Sequence, residues 1–149
     1  MTREQRFAQH ITELASAFRV VLEVRPGMSP DAAGAGFVFA DEHLPLHRQR
    51  RAVRIAPVTC EVTYAIALHE LGHCLSPLGM VTNTEASDTF RRTHNYATKR
   101  DVRLQLLEEQ AAWEWARHYA LEWTPLMDSV ERMAFDTYQM NARQYGVKS

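Results

Sequence analysis

Cysteine is scarce in this chain, with Cys60 and Cys74 alone among 149 residues, so a disulfide framework is excluded as the source of stability. A chain of this length buries an adequate core without a staple, and both thiols are expected to be reduced packing groups. Glycine and proline are few as well, six of each, which excludes a collagen-like or low-complexity chain. Neither sign of charge dominates: 17 Lys plus Arg face 18 Asp plus Glu, so no global field draws the chain onto nucleic acid or an anionic membrane. No apolar run approaches the roughly 18 to 20 residues of a membrane span. Arg3, Glu4, Arg6 and Glu13 break the stretch in which a secretory signal would need an apolar core, so the expected compartment is the cytoplasm. What is present is an ordinary globular composition, 46% hydrophobic and 23% charged, and one domain over residues 1–149 is expected.

Thr2 and Gln5 form a capping-box pair ahead of Phe7, Ile11, Leu14, Ala15 and Phe18 at helical spacing, which predicts an amphipathic first helix. RVVLEV at 19–24, broken by Pro26-Gly27, and GFVFA at 36–40 read as two strands joined by an irregular loop. RRAVRIAP adds a third, with Val53 and Ile55 on one face and Arg54 on the other. Thr59 is the expected cap of a helix reading VTYAIALHELGHCL, Val62 to Leu75, apolar nearly all round. Ser76 to Lys99 reads as a long loop with a short turn of helix in it. A long helix follows from Asp101 to about Trp123, and Thr124-Pro125 opens a last one that stops at Gly146.

The chemistry concentrates in His69-Glu70-Leu71-Gly72-His73, an HExxH pattern. On a helix, histidines at i and i+4 project from one face and can grip one zinc ion, with the intervening glutamate beside it as a general base. Burying two imidazoles and a carboxylate without partners would cost several kcal/mol, which a metal and its water would remove. A catalytic zinc takes a third protein ligand and keeps a fourth position open. LEEQAAWEWA, residues 107–116, offers that ligand: Glu109, Ala112 and Ala116 share one helical face, and two alanines there permit a close approach to the HExxH helix. Glu109 is the expected ligand, with Glu108 taking its place if the helical phase is shifted by one residue; Glu114, and Glu108 otherwise, read as solvated or paired charges.

TYAIALHELGHCLSP, Thr63 to Pro77, followed by Glu109 in an E-x-x-A-x-x-W-A setting, resembles the ImmA/IrrE family of zinc metallopeptidases, especially its short phage and prophage members. In that family the second motif is E-x-x-A-N-x-F-A, and its Glu is the third ligand; here Trp113 stands at the Asn position and Trp115 at the Phe position. The resemblance covers about residues 50 to 120. It implies an α+β, minimal zincin-like fold, with a small sheet of three or slightly more strands packed over the HExxH helix, flanked by the first helix and two long C-terminal helices. It also implies a zinc-dependent endopeptidase acting on a protein substrate such as a helix-turn-helix repressor. The alternative is a zincin-fold module that binds a protein partner or nucleic acid without turnover.

Hydrolysis would use Glu70 to take a proton from water and pass it to the leaving amine, while His69, His73 and Glu109 hold Zn2+. Donors for the developing oxyanion are His118 and Tyr119 on the long helix and His94 and Tyr96 in the loop, with Tyr119 also read as packing. An exposed edge of the strand 51–56 could receive an extended peptide, with Arg54 flanking it or simply solvated. Arg91, Arg92, Lys99, Arg100 and Arg103 with Tyr96 make a local basic cluster, read as a solvated loop that leaves contact with nucleic acid open. No helix-turn-helix is evident in the chain itself.

Overall fold

The capping box at Thr2 forms: its hydroxyl accepts the Gln5 N–H at 3.1 Å, and the Gln5 side chain accepts the Thr2 N–H at 2.8 Å. It starts α1, Arg3–Ala17, whose buried face is Phe7, Ile11, Leu14 and Ala15. The computed structural model describes residues 1–28, 37–40, 51–82 and 99–147. Within them, Arg19 takes a left-handed turn (φ 58°) into β1, Val20–Val24, and two further strands follow, β2, Phe37–Ala40, and β3, Arg51–Ile55.

The sheet order is β1-β3-β2. β3 pairs parallel with β1, Val20 opposite Arg51 and Val24 opposite Ile55, and antiparallel with β2, Phe37 opposite Arg54. The expected open edge on β3 is therefore corrected. Both of its hydrogen-bonding edges are already filled, so no peptide can be added to that strand. Arg54 does not flank a free edge either; its Nε meets the Glu23 carboxylate at 2.5 Å across the β1/β3 pair. The alternation of faces is as expected, with Val53 and Ile55 in the core.

α2, Glu61–Leu75, packs against α1, β2, β3 and each of the three described helices that follow it, which is why a helix so apolar in every direction is stable here. Its N-cap is Cys60, one residue later than the expected Thr59. The reason is Thr63, whose hydroxyl accepts the Thr59 and Cys60 N–H groups at 2.9 and 3.0 Å and so satisfies the helix start from inside. Glu61, at the positive end of the helix, is held by Arg3 at 2.6 Å, and the same guanidinium holds Glu122 at 2.6 Å. Ser76 ends α2, and its hydroxyl accepts the Gly79 N–H at 2.9 Å as the short α3, Pro77–Thr82, begins. The rest of the expected loop lies outside the described residues.

α4 spans Lys99–Tyr119, and α5 spans Pro125–Gln144 with Thr124 as its cap. α4 stops short of the expected Trp123 because the Leu121 N–H is taken by the buried Tyr64 hydroxyl at 3.0 Å, which turns the chain toward α5. Tyr64 also stacks on Phe7, ring centroids 4.0 Å apart, tying α1 to α2. The result is a mixed helix-and-sheet architecture with α2 at its centre. None of the described helices is long and apolar enough to cross a membrane.

Candidate metal centre

α2 and α4 cross where neither helix has a side chain to spare. A Cβ added at Gly72 would lie 2.3 Å from the Ala112 carbonyl oxygen, so the two backbones are in direct contact. The alanines at 112 and 116 predicted a close approach; the glycine on the opposite helix completes it. His69 lies one turn before Gly72 and His73 immediately after it, and Glu109 lies one turn before Ala112.

The crossing brings the three together. His69 Nε2 is 2.8 Å from Glu109 Oε2, and His73 Nε2 is 3.0 Å from Glu109 Oε1. One nitrogen or oxygen from each of the three lies within 4.8 Å of the others. Glu109 is 4% exposed and His69 8%, so both have left bulk water, while His73 is half-buried. The His69 ring meets His73 edge-on at 4.4 Å and lies flat against the Trp113 indole at 4.1 Å. Glu70, also buried, comes within 3.5 Å of His69 through Nδ1, the ring nitrogen that does not face Glu109.

The electrostatics follow from this packing. Burial disfavours a charge on His69, but its hydrogen bonds and charge interactions with Glu109 and Glu70 outweigh that cost and push the imidazole up to about 9. Burial would likewise raise Glu109, but the hydrogen bonds from His69 and His73 hold its carboxyl well below the usual carboxylate range. Two imidazole nitrogens and a carboxylate thus converge on one position, which a cation could take. Around a tetrahedral zinc with bonds of about 2.0–2.1 Å, ligand atoms stand roughly 3.3 Å apart. The two separations from Glu109, 2.8 and 3.0 Å, lie just below that value, and all three ligand atoms lie within 4.8 Å of one another. The donor set and its spacing fit a divalent metal.

No family model, curated protein or solved structure matches this chain.

Several expected site residues lie elsewhere. His118 is exposed, and its ring packs edge-on against Tyr119 rather than reaching the cluster, because it projects from the face of α4 opposite Glu109. Tyr119 stacks on Trp115 at 4.4 Å and is a packing residue. His94 and Tyr96 fall outside the described residues, as do Arg91 and Arg92. Glu114 is exposed, whereas Glu108, expected as a solvated or paired charge, is buried at 5% exposure and is not one of the converging groups. The contact of Trp113 with His69 was not foreseen from the sequence, although its position one turn after Glu109 on the same helix was the available signal.

Proposed function

We propose that this chain is a zinc-dependent endopeptidase with an HExxH active site, related in fold and chemistry to the ImmA/IrrE-type zincins. The observation that carries the proposal is the convergence of His69, His73 and Glu109 within 4.8 Å, with Glu70 beside them on the helix that supplies both histidines. His69, His73 and Glu109 would hold the ion, leaving a fourth position for water or substrate. When bound, zinc would supply Lewis acidity for a carbonyl oxygen and lower the pKa of a water.

The chain's own groups do the rest. Glu70, lodged in the same buried region, takes the proton of the attacking water and delivers it to the leaving amine. Burial of the cluster keeps bulk water from competing with these proton transfers. With β3 closed on both edges, a substrate segment is received elsewhere than on that strand. The substrate class, a specific protein such as a helix-turn-helix repressor, rests on the sequence resemblance alone.

The test has two stages. Protein purified without a His tag should carry one zinc per chain, and His73→Ala should lose it. Zinc-loaded protein is then incubated with helix-turn-helix repressors encoded beside it, and a single discrete product is expected that Glu70→Gln, still holding zinc, fails to make. A biological effect that survives Glu70→Gln would mean that the chain acts by binding alone.

A further inference from the structure

We propose that Trp113 is a positioning residue for His69, holding the ligand imidazole in its metal-binding orientation by face-to-face stacking. The inference rests on the metal reading above. A ligating histidine is ordinarily oriented by a hydrogen bond on its second nitrogen. Here the one such contact among the described residues, from His69 Nδ1 to Glu70, is 3.5 Å long, at the outer limit of a hydrogen bond. The face of the ring, by contrast, is fully engaged: the indole lies parallel to it within 17°, centroids 4.1 Å apart. Trp123 meets Trp113 edge-on at 6.4 Å and backs the indole in place.

Two further observations separate this role from simple filling of space. Trp113 is 1% exposed, and its Nε1 finds no hydrogen-bond partner among the described residues. Burying an N–H without an acceptor is unfavourable, and a phenylalanine or leucine would fill the core without that penalty. What the indole adds is the largest and most electron-rich aromatic face available. That face suits an imidazole drawn electron-poor by a bound cation. Glu109 and Trp113 also stand one turn apart on α4, so the single crossing at Gly72 and Ala112 delivers both the third ligand and the wall that orients the first.

The experiment is titration of the full chain with zinc, and separately with cobalt, against a competing chelator. Trp113→Leu should weaken zinc binding about tenfold, the lower end of what outer partners of metal ligands supply. Trp113→Phe should recover most of that loss, because it restores a stacking face. Trp115→Phe, which alters a buried indole stacked on Tyr119 instead, should leave affinity unchanged. A second readout does not depend on how Trp113→Leu folds: cobalt should quench the tryptophan fluorescence of the wild type, Trp113→Phe should lose most of that quench, and Trp115→Phe should keep it. Equal zinc affinity in wild type and Trp113→Leu would overturn the proposal, as would an equal loss in Trp115→Phe or a quench that survives Trp113→Phe. A wild-type chain that takes up neither ion overturns the metal reading beneath it, a result distinct from wild-type binding that Trp113 does not influence.

Discussion

Gly72→Ala is the smallest change that should separate the two helices of the candidate site. The new Cβ would stand 2.3 Å from the Ala112 carbonyl oxygen and 2.9 Å from its Cα. An ordinary carbon–oxygen contact is about 3.3 Å or more, so α2 and α4 must part by about 1 Å. The obstacle is backbone, so no rotamer change relieves it. Overpacking of a close-packed interior costs about 1–3 kcal/mol, and a contact this short belongs at the upper end. In a chain of this size each kcal/mol lowers the melting temperature by about 2–4 °C, giving an expected fall of about 6–12 °C. Zinc affinity should fall with it, because Glu109 rides on α4 while both histidines ride on α2. The assay is a thermal melt of the metal-free protein together with chelator competition for zinc. Gly27→Ala is the control, since a Cβ there meets nothing within 4 Å. If Gly72→Ala melts with the wild type and binds zinc equally well, the helices are not locked at this crossing and the argument fails.

Glu109→Gln should lose zinc while Glu108→Gln retains it, measured as metal per chain after desalting; the reverse result would move the third ligand by one residue. For the metal-free protein, His69 is raised from 6.5 to about 9, so its contribution to stability is complete below about pH 6.5 and is lost as pH rises toward 9. Glu109 is lowered from 4.5, so its contribution is present above that value and is lost on acidification. Melts recorded in chelator should therefore place the cluster's greatest stabilisation between about pH 4.5 and 6.5, and a contribution that grows toward pH 9 would contradict the assignment. Zinc, which requires neutral imidazoles, should bind more tightly across the same rise toward pH 9 and release protons as it does so, detectable by calorimetry in buffers of different ionisation enthalpy. Cys60 is exposed, and despite partial burial its hydrogen bonds with Thr63 and neighbouring groups lower the thiol pKa, whereas burial pushes Cys74 up to about 12. A thiol reagent should accordingly label Cys60 in the native protein and Cys74 only on unfolding; the two stand at opposite ends of α2, about 21 Å apart, too far for a disulfide.

Much of this architecture is written locally. The Thr2–Gln5 capping box acts over three residues, the apolar spacing of α1 over a few turns, and the i, i+4 histidines of HExxH over one, so each could be recognised without knowing what surrounds it. The two alanines after Glu109 announced a close helix contact for the same reason: a small side chain is visible in the sequence before its partner is known. Other features depend on contacts between residues far apart in the chain. β1 and β2 are consecutive strands, yet β3 enters between them; this closes the edge that Arg54 was expected to flank and gives that arginine Glu23 as its partner. Gly72 became the crossing point only when Ala112 was set against it, and Tyr64 ended α4 early only because its hydroxyl lay where the Leu121 N–H emerged. That Glu108 is covered while His118 is exposed has one ground: a helical period fixes which residues share a face, and only the packing of neighbouring elements decides which face is covered. The sequence alone therefore determined the groups available for metal chemistry, and tertiary packing decided that His69, His73 and Glu109 meet, with the Trp113 ring laid against the first of them.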